Sequence, residues 1–383
     1  MKVLIVHTSY KYKGGEDTVV AEEMELLKIN GVTVELLQFN NNHNSFFKIL
    51  QLPFNLLSYL KTKKKLKAYP ADVVHIHNLH FAASASVLYA IKRSKIPFVM
   101  TLHNYRLLCP SATLSSKGKL FLVSIQQKFP WKAIAQKVYK NSAFLTFWVA
   151  LSMKVHQRIG TWRLCRRYIV LSPHARKLFL ESNMAITNDR LTVKPNFCTA
   201  PLSFQPVEDN YFLYVGRLIE EKGTQLLLNV FASCGYKIKI AGDGPLRNEV
   251  ISYSDRFPNI EFLGALKKAE IFKLLGSCSA LIFPSIWYEG MPLTIIEAFA
   301  CGAPVISSKM GAMENMITHN YNGLHFEPAS KDDLIRKLDE WQGINREGKD
   351  IYRRNARATY EQYYTPEKNF EQLMDIYNSA INE

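Results

Sequence analysis

The stretch Ile286–Ile306, IWYEGMPLTIIEAFACGAPVI, predicts a loop, a helix and the start of a strand. Pro292 is expected at the first helical position, where its missing N–H leaves no hydrogen bond unmade. The helix should end before Gly302 and lead into the strand. Glu289 lies in the loop, and Glu297 follows eight residues later inside an otherwise apolar helix. The stretch therefore places two acids around one helix start.

Strands alternate with helices on both sides of this stretch. Short β-branched runs that are apolar throughout are typical of parallel strands buried on both faces, and their alternation with helices indicates a doubly wound α/β fold. The predicted strands are KVLIVHT, VTVELLQF, DVVHIHN, PFVMTLHN, RYIVLS and LTVKPN in the first half, and YFLYVGRL, YKIKIAG, NIEFLG, SALIFPS, APVISS and NGLHFEP in the second.

Helices are predicted between these strands. They are Glu16–Asn30, roughly Ser45–Lys65, Ala82–Arg93, a long basic helix around Trp131–Gly160, helices from Lys222, after Pro245 and from Pro292, and a last one at about Pro366–Ala380. The segment Lys194–Tyr211 has three prolines and no periodicity, which indicates a linker between domains. We expect Rossmann-like domains at residues 1–195 and 196–365, and a helix at 366–383 that packs back across the linker.

Composition and charge restrict the class of protein. The six cysteines are scattered without a CxxC pair, which argues against a disulfide framework and a zinc site. No apolar run has the length of a signal peptide or a membrane span, so we expect a cytoplasmic protein, or one that lies on a membrane without crossing it. Residues 1–195 hold 29 Lys and Arg against 9 Asp and Glu, whereas residues 196–383 hold 19 against 24. Such a basic half points to anionic lipid, a pyrophosphate-linked acceptor or nucleic acid.

Strand-to-helix turns in the second half carry groups suited to a nucleotide. The N–H groups of Met291, Leu293 and Thr294 are expected to form an anion site at the helix start. A carboxylate at Glu297 needs a partner such as a ribose diol, although a pair of capping or salt-bridged glutamates remains an alternative. AGDGPL resembles a dinucleotide-binding turn, but Pro245 interrupts the motif and hydride chemistry is not indicated.

Polar residues also follow strands in the first half. Gly14 and Gly15 form the first strand-to-helix turn, where the backbone could approach a phosphate or sugar or simply turn. The segment HNYR, beginning at His103, ends a predicted strand. His75, His77 and His80 could suggest a metal, but no acid is expected to lie near them and no metal site is predicted.

Together these motifs resemble the retaining glycosyltransferases of the GT-B fold, family 4, over nearly the whole chain. The resemblance rests on Glu289 and Glu297 with seven residues between them, and on GRLIEEKG, AGDGPL, KGGED and TLHNYRLLCP. It implies two Rossmann-like domains that face each other across a cleft. It also implies transfer from a nucleotide-sugar, UDP- or GDP-linked, without a metal or any other cofactor.

The resemblance also implies roles for individual residues. Arg217 and Lys222 would contact the donor diphosphate, and Glu297 would bind the ribose. Glu289 would bind sugar hydroxyls or act on the oxocarbenium face, and His103 would contact the sugar or assist transfer. The other implied donor contacts are Gly15, Gly216, Gly244, Leu266, Gly290, Met291, Pro292, Leu293 and Thr294.

The basic first domain is implied to hold the acceptor. The expected acceptor is a polyprenyl-diphosphate-linked oligosaccharide in capsule, exopolysaccharide or O-antigen assembly. The protein is then expected to be peripheral on the inner face of the plasma membrane, with membrane contacts at Lys61–Lys67 and Trp131–Arg167. After NYRLLCP, relatives often carry a cysteine-bearing insert that this chain lacks. A soluble acceptor, nucleotide-sugar epimerisation and non-catalytic nucleotide or RNA binding remain alternatives. No aromatic-interleaved RNA motif is present, so no nucleic acid partner is expected. The choice between an ion pair and a covalent intermediate on Glu289 stays open.

Overall fold

The computed structural model describes residues 1–9, 14–41, 50–184, 186–200 and 210–383. Part of the predicted helix Ser45–Lys65 and part of the predicted linker Lys194–Tyr211 lie outside these ranges. Contacts divide the chain into two compact units. The first unit is Met1–Pro195 with Asn369–Glu383, and the second unit is Asn196–Lys368.

Apart from one short antiparallel hairpin of two strands in the first unit, both units are built from parallel strands that alternate with helices. The strands are β1 Lys2–Ser9, β2 Thr33–Asn40, β3 Val73–Ile76, β4 Phe98–Leu102, β5 Ser115–Ser116, β6 Lys119–Leu120, β7 Arg167–Val170, β8 Leu191–Val193, β9 Phe212–Val215, β10 Ile238–Ala241, β11 Ile260–Gly264, β12 Ala280–Phe283, β13 Val305–Ser308 and β14 Gly323–Phe326. The helices are α1 Gly15–Ile29, α2 Leu56–Ala68, α3 Ser86–Arg93, α4 Trp131–Ala135, α5 Ala143–Arg158, α6 Pro173–Leu180, α7 Thr224–Cys234, α8 Arg247–Arg256, α9 Lys268–Ser277, α10 Leu293–Ala300, α11 Ala312–Met316, α12 Lys331–Gly343, α13 Arg346–Tyr363 and α14 Pro366–Asn382.

Each unit has a six-stranded parallel sheet whose strand order reverses once. The order is β2-β1-β3-β4-β7-β8 in the first unit and β11-β10-β9-β12-β13-β14 in the second. The central strands are buried throughout, as in β3 and β12, because helices cover both faces of a parallel sheet. The order reverses between β1 and β3 and between β9 and β12. At such switch points α/β proteins bind ligands, outside the carboxyl ends of the strands.

The last helix belongs to the core of the first unit. Leu373, Ile376, Tyr377 and Ala380 recur at helical spacing on one face of α14 and are buried with side chains of the first sheet. The hydroxyl of Tyr377 is 2.7 Å from Nδ1 of His75 on β3. The apolar face of this helix is therefore covered by the first unit.

Three predicted helices of the first unit have different bounds. The helix expected around Trp131–Gly160 is two helices, α4 and α5, because Lys137, Lys140 and Asn141 have positive φ, which a helix does not admit. Within the described residues the second predicted helix is not continuous: Leu50 is helical, residues 51–55 are not, and α2 follows, where the Asn55 side chain accepts from the N–H of Ser58 as a cap. The third begins at α3 rather than at residue 82, since Ser84 also has positive φ.

The starts of two helices in the second unit also differ from the prediction. Pro292 has φ −74° and ψ 115°, so it is the extended residue before α10 and not its first helical residue. Lys222 ends the short 3-10 helix Glu220–Lys222, and the α-helix starts after Gly223. Gly223 is left-handed, with φ 73°, and this conformation separates the two helices.

A close approach of two loops depends on Gly223. A Cβ atom on Gly223 would lie 2.0 Å from the carbonyl oxygen of Pro284, which follows β12. The loops are joined at the same place, where the N–H of Ile286 donates to the carbonyl of Glu221 over 3.0 Å. The glycine therefore brings the turns after β9 and β12 into backbone contact.

We predict that Gly223→Ala destabilises the protein by well over the ~1 kcal/mol that a left-handed alanine costs alone. Gly235→Ala is the matched control, because Gly235 ends the same helix with φ 70° and has nothing within 4 Å of its Cβ position. Thermal and urea unfolding of both variants measure the difference. Equal losses of stability would mean that the approach to Pro284 is not a constraint.

Candidate functional site

The second unit brings Lys222 and Glu289 together at its switch point. Lys222 follows β9, and Glu289 lies in the loop after β12. The ammonium nitrogen of Lys222 is 2.7 Å from Oε1 of Glu289, and the two side chains are 21% and 11% exposed. This ion pair lies outside the carboxyl ends of the two strands, the place where such sheets bind ligands.

Two further donors hold the Glu289 carboxylate. The hydroxyl of Ser285 donates to Oε1 over 2.8 Å, and Nε1 of Trp287 donates to the same oxygen over 2.6 Å. With Lys222, three donors converge on one oxygen and orient the side chain. Sequence reasoning did not identify Ser285 or Trp287, although both are close to Glu289 in the chain. A single serine or tryptophan in a sequence gives no sign that its side chain donates to a nearby glutamate.

The start of α10 faces the same loop. The N–H groups of Leu293 and Thr294 are in the first helical turn, where a helix offers no internal acceptors. This end of the helix carries a partial positive charge and suits an anion. Before it, the Met291 carbonyl accepts from the side-chain amide of Asn196 over 3.4 Å, which fixes the loop that includes Gly290.

Glu297 has a salt-bridge partner within the protein, so its carboxylate does not depend on a ligand hydroxyl alone. Its Oε1 is 3.8 Å from the ammonium of Lys268, and the Glu297 side chain is 15% exposed. Lys268 begins α9, two residues after Leu266. Sequence reasoning missed Lys268. The only available signal was a basic residue at a helix start close to Leu266, one of the implied donor contacts.

The remaining donor-site residues of the second unit have distinct environments. Arg217 is exposed, and its guanidinium makes no hydrogen bond or ion pair with any described residue. Gly244 has a packing role, since a Cβ there would be 2.5 Å from the Leu218 carbonyl oxygen. The N–H of Gly216 donates to the carbonyl of Ala241 over 3.1 Å. Leu266 is partly buried against the core of the unit.

A buried charged cluster lies below the strand ends of the first unit. Oε1 of Glu23 is 3.0 Å from Nδ1 of His75 and 3.1 Å from Nε2 of His77, and Oε2 is 3.2 Å from the ammonium of Lys194. Burial raises the pKa of Glu23, but Lys194 and the histidines outweigh it and hold this pKa well below its usual range. Burial lowers the pKa of His77 to about 4 and that of His103 well below its usual range. Both imidazoles are therefore neutral at neutral pH.

The cluster favours one tautomer of His103. The ionised carboxylate of Glu23 favours a proton on Nε2 of His77, even though the two atoms are not aligned as a hydrogen bond. Nδ1 of a neutral His77 is then an acceptor for Nε2 of His103, which is 2.9 Å away. Nδ1 of His103 is left with a lone pair. His103 can therefore accept a proton at that atom.

The cluster overturns one premise of the sequence analysis, that no acid lies near these histidines. Among the described residues Glu23, His75 and His77 are the group whose ligand atoms could surround a metal ion. Nε2 of His75 is, however, 2.8 Å from the hydroxyl of Thr101, and the Lys194 ammonium occupies the other side of Glu23. A cation would have to displace a resident positive charge. The donor set therefore suits an internal ion pair better than a metal.

Glu16 lies at the carboxyl ends of the same strands. Asn78 and Asn104 each donate a side-chain N–H to one of its carboxylate oxygens over 3.0 Å. Burial raises its pKa to about 7, in spite of these hydrogen bonds. Gly15, next to it, is exposed, and the N–H of Gly14 already donates to the Asp17 carboxylate over 2.9 Å. The protein's own acids thus occupy the α1 start, where a phosphate was considered.

The raised pKa of Glu16 predicts a pH-dependent effect on stability. Between about 4.5 and about 7, the folded protein keeps a proton that the unfolded chain has lost, so the contribution of Glu16 to stability falls as the pH rises. Glutamine does not titrate. The Tm of Glu16→Gln relative to the native chain should therefore rise by a few degrees from pH 5 to pH 8.

Thermal unfolding at several pH values measures this difference. The control is Glu25→Gln, which changes an exposed acid on the same helix and should give a constant difference in Tm. A constant difference for Glu16→Gln as well would contradict the raised pKa.

Two family models match the chain. The model for glycosyl transferases group 1 matches residues 203–359, and the model for Glycosyltransferase Family 4 matches residues 14–199. An uncharacterized glycosyltransferase of Methanocaldococcus jannaschii, MJ1178, is 24% identical over 89% of this chain and 88% of its own length. The D-rhamnosyltransferase WbpZ of Pseudomonas aeruginosa is 30% identical over 40% of this chain and 42% of its own.

Solved structures share the fold at low sequence identity. A glycosyltransferase from Rickettsia africae superposes with a TM-score of 0.71 at 18% identity, over 99% of this chain and 98% of the other. Anabaena Alr3699/HepE in complex with UDP has a TM-score of 0.70 at 17% identity, over 99% and 100% of the chains. With two Rossmann-like sheets and both family models matched, the chain belongs to the group 1 and Family 4 glycosyltransferases of the GT-B fold.

Proposed function

We propose that the chain is a retaining glycosyltransferase whose second unit binds a UDP- or GDP-linked sugar. The observation that carries this proposal is the Lys222–Glu289 pair at the switch point, beside the start of α10. A solved structural neighbour, Anabaena Alr3699/HepE, was crystallised with UDP. A nucleotide diphosphate placed at the switch point would meet cations, helix-start amides and two carboxylates within one unit.

The charges of the site match a diphosphate leaving group. The Lys222 ammonium has three N–H donors, so it can bind a phosphate while it keeps Glu289. Arg217 has no acidic partner among the described residues and can add a bidentate contact. With the α10 amides, these groups would stabilise the charge that develops as the nucleotide leaves. We therefore propose transfer without a metal.

Glu289 and Glu297 have separate proposed roles. Glu289 is held in one orientation by its three donors and would bind hydroxyls of the sugar, or face the developing oxocarbenium ion. Glu297 is partly exposed and lies 3.8 Å from the Lys268 ammonium, and it could exchange this contact for the ribose hydroxyls. His103, neutral and with a lone pair on Nδ1, would contact the sugar or take up a proton during transfer.

For the acceptor we propose a polyprenyl-diphosphate-linked oligosaccharide at an anionic membrane surface. Leu56, Leu57 and Leu60 of α2 are 59%, 72% and 50% exposed and lie among the lysines of Lys61–Lys67. Such a helix suits the surface of a negatively charged bilayer. No described helix has both the length and the apolar character of a membrane span. Relatives include the O-antigen chain mannosyltransferase C of Escherichia coli, 26% identical over 46% of this chain.

Donor binding tests the first part of the proposal. One class of nucleotide-sugar among UDP-, GDP-, ADP- and TDP-linked sugars should raise the Tm by several degrees, equally with and without EDTA. Arg217→Ala and Glu297→Ala should each weaken binding by tenfold or more, because each removes a proposed contact. Arg256→Ala, which removes an exposed cation from α8, is the control. Sugar isomerisation without acceptor would favour an epimerase, and no binding by any nucleotide would exclude the donor site.

Membrane binding tests the second part. The full-length protein should sediment with anionic liposomes at low salt and be released at high salt, because surface charges are screened. Replacing Lys63, Lys64 and Lys67 with glutamine should reduce binding several-fold. The control replaces three exposed lysines of the second unit, Lys273, Lys309 and Lys331. Equal losses in both triple variants would show that α2 is not the contact.

A further inference from the structure

The first unit contains a cavity that is lined by His103 and extends into apolar surroundings that the proposed donor chemistry does not involve. It lies between α5 and the segments that follow β3 and β4. One part of the wall is aliphatic or aromatic, with Leu52, Leu79, Phe81, Leu107, Val149 and Met153, and the other part is polar and includes four histidines. The apolar part suits the hydrocarbon portion of a ligand.

One charged side chain interrupts this apolar wall. Arg106 lines the cavity and is only 7% exposed. Its guanidinium lies 5.6 Å from the ring centre of Phe81 and 5.2 Å from that of Tyr139, and it also donates to the carbonyl of Pro110. No carboxylate of the described residues forms an ion pair with it. A buried charge without a counterion is unfavourable unless a ligand supplies one.

Unsatisfied donors on the wall point to an anion. Nε of Arg106 and Nε1 of Trp162 are both buried and lack a hydrogen-bond partner among the described residues. Both residues line the cavity, and both atoms can only donate. Oxygen atoms of a phosphate accept hydrogen bonds and carry the charge that Arg106 lacks. A sugar hydroxyl or an amide would satisfy the donors but leave the charge unpaired.

The other titratable groups near Arg106 do not neutralise it. Burial lowers the pKa of His80, and Arg106 lowers it further; burial also lowers the pKa of His77 and His103. These histidines carry no charge at neutral pH. Glu16, whose pKa is about 7, is only partly ionised there and is engaged by Asn78 and Asn104. The site therefore keeps a positive charge that an anionic group would balance.

The cavity wall is continuous with an exposed apolar surface. Leu52 belongs to the segment before α2, in which Leu50 and Phe54 are 37% and 48% exposed. The segment is held to α5 where the Pro53 carbonyl lies 2.7 Å from Nε2 of His156. From there the exposed leucines of α2 continue the surface. The hydrocarbon chain of a lipid that leaves a bilayer along α2 would thus stay in contact with apolar side chains of the protein.

We propose that this cavity binds one aliphatic chain bonded to a phosphate, with Arg106 paired to the phosphate and the chain in the apolar part. The inference rests on the proposed function, for which it identifies the binding site of the lipid end of the acceptor. Arg106 pairs with the phosphate, Nε1 of Trp162 donates a hydrogen bond to it, and α5 covers the aliphatic chain of the ligand. The occupant is a prenyl phosphate or diphosphate.

Calorimetric titration of the full-length protein with farnesyl phosphate, below its micelle concentration, tests this site. Farnesol lacks the anion and pyrophosphate lacks the chain, so each should bind at least tenfold more weakly than farnesyl phosphate. Arg106→Gln should weaken farnesyl phosphate binding by tenfold or more and leave farnesol binding unchanged. Met153→Trp, which fills the cavity, should weaken binding of both ligands.

Lys177→Gln is the control, because it removes an exposed cation from the same unit. Farnesyl phosphate binding that is equal in the native chain, Arg106→Gln and Met153→Trp would overturn the proposal, as would no binding to the folded native chain. If Arg106→Gln does not fold, the proposal is still tested by the binding of farnesyl phosphate to Met153→Trp and by the binding of farnesol and pyrophosphate to the native chain. Nucleotide-sugar binding, measured in the same variants, should be unchanged. If the native chain bound no nucleotide-sugar, that result would instead count against the proposed function.

Discussion

A carboxylate without access to water must be neutralised from within the protein, and Glu23 imposes this constraint on the first unit. Its side chain is 1% exposed, and burying an isolated charge costs on the order of several kcal/mol. The partners come from distant parts of the chain: His75 on β3, His77 directly after it, and Lys194 directly after β8. Lys194 is in turn 3.0 Å from the side-chain oxygen of Asn369 on α14. One buried acid therefore joins the first helix, the sheet, the end of the unit and the returning C-terminal helix.

The same cluster also orients histidines at the strand ends of the first unit. Glu23 is buried too deeply to meet a ligand, but it orients His77, and His77 contacts His103 at the carboxyl end of β4. The Lys222–Glu289 pair of the second unit differs from it in exposure, since both side chains still reach solvent. A pair of this kind can share its charge with a ligand, whereas the Glu23 cluster cannot. The degree of burial therefore distinguishes Glu23, which organises the first unit, from Glu289, which remains accessible to a ligand.

Arg106 illustrates why a motif is hard to interpret before the fold is known. In sequence it is one of the 29 Lys and Arg of residues 1–195, and its neighbours His103 and Asn104 attract attention first. The fold places it between Phe81 and Tyr139, which are distant from it in the sequence, and no described carboxylate forms an ion pair with it. Lys268 and Trp287 were missed for the same reason: their partners Glu297 and Glu289 are found through packing, not spacing.

The sequence by itself determined the alternation of strands and helices, the two sheets and the position of Glu289 before a helix start. These follow from local patterns, because apolar runs, prolines and caps act over a few residues. It also carried the motifs that resemble family 4 glycosyltransferases. Only the tertiary structure decided that Lys222 pairs with Glu289, that Lys194, His75 and His77 surround the Glu23 carboxylate, and that Arg106 is buried without an ion-pair partner among the described residues. Those outcomes depend on which strands become neighbours, and strand order is a property of the whole chain that no short stretch encodes.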